Sequence, residues 1–280
     1  MTHLNNTQNL NNISETMLIT VWARAIETQQ QKGLIYDPFA VDTIKKIDYD
    51  FSVFNKATMS QAGCCIRSKL IDNQTLEFIH QHPDAVIIQL GAGLDSRLQR
   101  LQLQNHDILA NITHWYDLDL AEAISIRKAL CPPHPKNSLL EMSLFDDNWI
   151  EIVQTHNKPT LIIIEGVLMY FEEDAVKSLF DKLCQRFKTT TILMDMLAYS
   201  AKGNAKHHDT LKHTKQKTEF KWSLLNSKDM EEWHNKIHLT EELYMSDYAG
   251  KRFPWWMRLL YKTPYGYKHL NQRILRIDIS

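Results

Sequence analysis

Apolar positions recur along this chain first with a helical period and then with a mixed one. From Thr16 to Glu27, the residues Leu18, Ile19, Trp22, Ala25 and Ile26 fall at helical spacing, and Phe39–Ile47 and Ile66–His80 continue in the same manner. Asp37-Pro38, between the first two, is a turn-initiating pair. At Ala85–Leu90 (AVIIQL) the run becomes almost wholly apolar and closes on Gly91-Ala92-Gly93. A short continuous run of that kind fits a strand buried on both faces of a parallel sheet.

Strands and helices then alternate. Strands are expected at Thr113–Leu118, Ser138–Met142, Leu161–Ile164 and Thr189–Met194. Helices are expected at Leu94–Leu103, Ala121–Ala129, Trp149–Gln154 and Asp174–Phe187, the last with acids in its first turn, where the helix dipole favours them. This alternation implies right-handed βαβ crossovers and a doubly wound, mostly parallel α/β sheet. After Leu197 the pattern breaks. Residues Ala201–Trp222 are polar and basic, with six lysines and three histidines. A helix around Lys228–Lys236 follows, and then Ile237–Tyr248 and Lys268–Ile277 read as a terminal antiparallel strand pair joined through the aromatic stretch Phe253–Tyr267.

Composition narrows the class without choosing a function. The chain has 280 residues, 44% hydrophobic and 23% charged, with a formal net charge of −1. This balance advertises neither a nucleic-acid nor a membrane partner. No apolar run approaches the ~18 residues of a membrane span. The Asn-rich first 14 residues read as a disordered leader, with neither the basic nor the apolar region of a secretory signal. A cytoplasmic location is therefore expected. Cys64, Cys65, Cys131 and Cys184 show no metal-ligand spacing, and neither do His207, His208 and His213, so no metal is expected. Only eight residues are glycine, which makes the pair at 91 and 93 worth reading.

Three places carry candidate chemistry. The strand–glycine–helix unit Gln89–Arg97 could let a ligand touch the backbone at Gly91 and Gly93. The dinucleotide fingerprint needs a third glycine where Ser96 stands, which argues against a nicotinamide-dependent oxidoreductase, the alternative reading. Asp119, with Asp117 second, ends the next strand about 25 residues on, where an acid can accept hydrogen bonds from ribose hydroxyls. Either acid could instead cap the helix that follows. Glu165 closes the apolar strand Leu161–Ile164, at the sheet edge where ligands of open α/β folds bind, and a carboxylate there needs a partner. Tyr170 could face the same pocket.

In order and spacing these segments resemble the leucine carboxyl methyltransferase family, which includes the tetracenomycin-type polyketide O-methyltransferases. The motifs are Trp22-Ala-Arg-Ala-Ile-Glu27, Asp37-Pro-Phe-Ala40, Arg67-Ser-Lys-Leu-Ile-Asp72, Gln89–Arg97, Trp115-Tyr-Asp-Leu-Asp-Leu120 and Glu165-Gly-Val-Leu-Met-Tyr-Phe171, spread from Trp22 to about Met196. The resemblance implies a Rossmann-like class I fold with a seven-stranded sheet and S-adenosylmethionine (SAM) as cofactor. It implies one methyltransferase domain over residues 15–280, with an N-terminal helical cap at 15–80 and an insertion near the active site at 198–236. It also implies roles: Arg67 gripping the SAM carboxylate with its planar fork, Gly91 and Gly93 lining the methionine portion, and Asp119 on the ribose. Glu165 would stand near the amino group. The family's Asp-Leu pair at the adenine is Ser143-Leu144 here, with Asp146 a possible substitute. Gly166 adjoins Glu165.

The expected reaction is O-methylation of a small-molecule or peptide carboxylate; beside the oxidoreductase, the other alternative is a protein that binds SAM without transferring methyl. A carboxylate, with a reference pKa of about 4, is already ionised at neutral pH and needs positioning but no general base. No His or Lys is placed by motif to serve as such a base. Arg24, on the helix expected to cover the pocket, and Tyr170 are the candidate substrate contacts. The aromatic residues Phe253, Trp255, Trp256, Tyr261 and Tyr265 could wall a substrate or form core.

Overall fold

A computed structural model describes residues 12–131, 133–205 and 218–280. Three helices come first: α1 (Asn12–Thr28), α2 (Pro38–Lys46) and α3 (Thr58–Gln81). There follow β1 (Ala85–Leu90), α4 (Arg97–Gln104), β2 (Ile112–Asp119), α5 (Ala121–Leu130), β3 (Asn137–Glu141), α6 (Asn148–Gln154), β4 (Thr160–Ile164), α7 (Glu173–Arg186) and β5 (Thr190–Met196). The chain ends with β6 (Ile237–Tyr244), three short helices α8 (Met245–Ala249), α9 (Trp255–Leu260) and α10 (Pro264–Leu270), and β7 (Arg273–Ile279).

The seven strands form one sheet in the order β3-β2-β1-β4-β5-β7-β6. Strands β1 to β5 pair in parallel, while β7 runs antiparallel to both β5 and β6. The strand order reverses between β1 and β4, which makes their carboxyl ends the topological switch point. This is the doubly wound class I arrangement that the alternation and the resemblance led us to expect. Successive strand residues point to opposite faces. Val86, Ile88 and Leu90 therefore pack with Trp149 and Phe180 of α6 and α7, and Ile87 packs on the other face with Ile66 and Leu98 of α3 and α4.

Several boundaries differ from expectation, each for a local reason. Helix α1 starts at Asn12, so three residues assigned to the leader are helical; the rest of that leader lies outside the described residues. Helix α3 starts eight residues earlier than its apolar pattern suggests. It buries Ala62, Cys65, Ile66, Arg67, Leu70 and Asp72 around much of its circumference, so no single stripe marks it. Helix α4 starts at Arg97, because Leu94-Asp95-Ser96 stays in the loop, where Asp95 N–H bonds to the Ala92 carbonyl. The helix expected at Lys228–Lys236 is a 3-10 turn, Ser227–Glu232. Residue Lys268 belongs to α10 and not to a strand; β7 begins only at Arg273, and β6 ends at Tyr244. Pro264 at the first helical position, with Thr263 as N-cap, is the signal for that helix. No helix among the described residues is long and apolar enough to cross a membrane.

Candidate functional site

A cavity of about 720 Å³ opens at the carboxyl ends of β1, β2 and β4. Its floor is the loop after β1. Gly91 and Gly93 both take positive φ, +72° and +49°, a conformation that glycine adopts without steric penalty. Gly91 has a second reason for lacking a Cβ: one built there would lie 2.4 Å from Cγ2 of Val167, across the switch point. The N–H groups of Gly91 and Ala92 both bond the Leu118 carbonyl, which ties this loop to the end of β2.

At that end the two candidate acids separate. Asp117 is fully buried and accepts from Arg127, Asn137 and the Trp115 indole, so its carboxylate is structural. Asp119 lines the cavity and accepts from the Gly93 and Leu120 N–H groups, at 2.7 and 2.8 Å. Burial raises its pKa against the lowering effect of those two N–H groups. Ser143 and Leu144 also line the cavity, with Met142 and Phe145. Asp146 does not take the place of the family acid. It is exposed, does not line the cavity and accepts from the Ser143 N–H at 2.8 Å, while the Ser143 hydroxyl accepts from Phe145 N–H.

Glu165 stands where the end of β4 was expected to place it, but it is not isolated. Arg67 Nε donates to it at 2.9 Å, Ser68 at 2.8 Å, and Arg97 Nη2 donates to its other oxygen. Burial pushes its pKa up, and the guanidiniums of Arg97 and Arg67 outweigh that, holding it at about 2. Arg67 in turn bonds Asp195 through Nη1 at 3.2 Å. The fork expected to clasp a ligand carboxylate bidentately is therefore mostly committed. Its Nε and Nη1 are engaged in this way, and Nη2 lies over Gly166, whose φ is +71°.

These pairs belong to a larger buried network. Arg97 and Arg100 share Asp72, Arg100 also meets Asp37 and Asp95, and Arg24 joins Asp37 and Asp95. Five carboxylates (Asp37, Asp72, Asp95, Glu165, Asp195) face four guanidiniums (Arg24, Arg67, Arg97, Arg100). The formal sum is one negative charge beside the cavity. Asp195, Asp72, Arg97 and Arg100 were not anticipated as site residues. Their signal was present: Asp195 interrupts the apolar strand ILMDM, and a charge inside such a run must be paired.

Arg24 lines the cavity and is also held in this network: its Nε bonds Asp37 at 2.9 Å and its Nη2 bonds the Leu94 carbonyl at 3.1 Å, so it braces the β1 loop against α1 and α2. Tyr170 does line the cavity, tilted against Phe220, and burial pushes its hydroxyl up to about 12. Much of the remaining lining is apolar, with Met59, Met169, Phe220, Met245, Phe253 and Tyr261 in it, while Thr16, Ser60, Glu219, Lys221 and Gln272 add polar groups. Of the aromatic stretch, Phe253 and Tyr261 thus face the cavity, while Trp255, Trp256 and Tyr265 are exposed. His207, His208 and His213 lie outside the described residues, and no metal-binding group is found among the described ones.

Comparison with known proteins agrees with this geometry. A family model described as leucine carboxyl methyltransferase matches residues 17–184, well over half of the chain. The tetracenomycin polyketide synthesis O-methyltransferase TcmP of Streptomyces glaucescens is 27% identical over 238 residues, 85% of each chain. An S-adenosyl-L-methionine-dependent methyltransferase, dpfgK, of Gibberella zeae is 23% identical over 260 residues, 86% of this chain and 85% of that one. Nothing among these matches supports the oxidoreductase alternative. With the switch-point cavity, the glycine-lined loop and the matched span all in agreement, the chain belongs to the leucine carboxyl methyltransferase family and is a SAM-dependent methyltransferase.

Proposed function

We propose that this chain methylates a carboxylate oxygen of a small apolar acceptor, forming a methyl ester. The observation that carries the reading is what the acceptor end of the cavity lacks. Among the described lining residues there is no histidine, and the one lysine, Lys221, is ion-paired with Glu172 at 3.1 Å. Glu219 lines the cavity too, but a carboxylate is a poor base for a phenol, whose reference pKa is about 10. Tyr170, pushed up to about 12, stays protonated and can donate to an acceptor oxygen without removing its proton. An acceptor that arrives ionised fits such a wall. The apolar lining favours a small hydrophobic acid over a peptide, whose backbone would need polar partners.

SAM supplies an electrophilic methyl on a positively charged sulfur. The residues present fit it: Gly91 and Gly93 line the cavity on the loop after β1, and the ion network has a formal excess of one carboxylate to face a cationic ligand. In this reading Asp119 receives the ribose hydroxyls, and Arg67 Nη2 meets the methionine carboxylate. Ser143 and Leu144, with Phe145, border the adenine. Glu165 positions Arg67 and Arg97 more than it contacts the ligand. The test is to incubate cell extract and purified protein with methyl-labelled SAM and to treat the product with base. A base-labile label is expected. A base-stable label would mean an ether and refute the carboxylate assignment.

A further inference from the structure

We infer that the α9–α10 face is a docking surface for an anionic lipid membrane. Whole-chain averages conceal this face, because the net charge of −1 and the absence of a long apolar run both speak against a membrane partner. Locally the balance is reversed. Between Gly250 and Leu270 there is no acidic residue, and there are five basic ones: Lys251, Arg252, Arg258, Lys262 and Lys268. Arg252 is used internally, bonded to Glu27. The other four are exposed and enter no ion pair among the described residues.

Apolar side chains stand exposed among these cations. Trp255, Trp256, Leu259 and Leu260 share one face of α9, with Met257 turned inward. Trp255 is 70% exposed, Leu259 54%, and Tyr265 on α10 64%. Single exposed apolar residues are ordinary, but a contiguous group of this size marks an interaction surface. Tryptophan, tyrosine and leucine ringed by lysine and arginine match the interfacial layer of a bilayer, where amphipathic rings sit at headgroup level and cations meet anionic lipid.

Charge also argues against a second copy as the occupant. A two-fold interface would set this patch against itself, bringing Lys251, Arg258, Lys262 and Lys268 onto their own equivalents with no acid in the segment to pair them. The face is moreover continuous with the cavity wall. Phe253 and Tyr261, on the inner side of the same segment, line the cavity. Tyr265 stacks on His269 at 4.0 Å between ring centroids, and His269 meets Tyr199, next to the lining residue Ala198. A patch resting on lipid would bring the apolar end of the cavity close to a store of apolar molecules.

The experiment is flotation of the full chain, without added cofactor, on vesicles of phosphatidylcholine alone and of equimolar phosphatidylcholine and phosphatidylglycerol. We expect partition onto the anionic vesicles only, weakened by salt, with a blue shift of tryptophan emission. Lys251→Gln with Lys262→Gln should weaken it about thirtyfold, taking the usual electrostatic contribution per cation at an anionic surface. Trp255→Ser with Leu259→Ser should abolish it while leaving the thermal transition in place, since both side chains are exposed. Absence of binding to either vesicle, or equal binding to both, overturns the proposal. So does a dimer in light scattering that Trp255→Ser converts to a monomer. None of these readouts uses SAM, so the outcome is independent of the methyl-transfer assignment.

Discussion

Replacing Glu165 by Gln keeps the shape of the side chain and removes its charge, and the consequence can be sized in two ways. Glu165 is held at about 2 instead of its ordinary 4.5, because Arg97 and Arg67 outweigh its burial. Carried into free energy, that displacement is about 3 kcal/mol of stability. Loss of one partner from a buried ion pair costs about 3–5 kcal/mol, an independent figure of the same size. The expected result is a fall in Tm of roughly 5–9 °C for a chain of this length. The sign with pH follows from the depression. The contribution is fully present above the unfolded value near 4.5 and is lost as pH falls towards 2, so wild type should weaken across that window and Glu165→Gln should weaken less. Urea unfolding without ligand, at neutral pH and through the acid range, measures both. Equal midpoints at neutral pH, with identical acid limbs, would refute the claim that Arg97 and Arg67 depend on this carboxylate.

Arg67→Ala should lower SAM affinity about ten- to hundredfold, the worth of one charge-assisted hydrogen bond; calorimetric titration that shows no change would remove Arg67 from the cofactor site. Gly91→Ala should cost about 2–4 kcal/mol, since it combines left-handed backbone with a Cβ 2.4 Å from Val167, and a variant as stable as wild type in urea would contradict it. Asp117→Asn and Asp119→Asn should separate. The first, cutting the Arg127 pair, lowers stability by about 3 kcal/mol with little change in SAM affinity, and the second lowers affinity by about tenfold. Equal effects on affinity would erase the distinction drawn between them.

The parallel half of the sheet was readable because β1 and β4 are apolar runs closed by glycine or a carboxylate, and the strands around them alternate with helical segments at regular spacing. The individual positions of Gly91, Gly93, Asp119 and Glu165 at strand ends followed from it. What those residues touch did not follow. Arg24 lies on an amphipathic helix, and nothing in its local pattern says that Asp37 and Leu94, one 13 and the other 70 residues away, will take its guanidinium. The ion network joins α1, α2, α3, α4, β4 and β5, so its members become partners only when the fold assembles. The terminal region was harder still. Helices α8 to α10 are five to seven residues long, too short to show a period, and only the Thr263-Pro264 start of α10 announces itself.

The place of β7 has a consequence for how the chain reaches this state. Strand β6 touches the sheet only through β7, and β7 enters between β5 and β6 although it comes after both in the chain. Strands β1 to β5 can close through neighbouring βαβ units. The far edge has to wait for a strand whose partner in β5 lies about 80 residues back, a closure that slows folding through its sequence separation. Until β7 docks, β5 offers an open apolar edge to other molecules. The region after Met196 is therefore where aggregation should compete with folding during synthesis, and where a proteolytic cut would undo two strands at once.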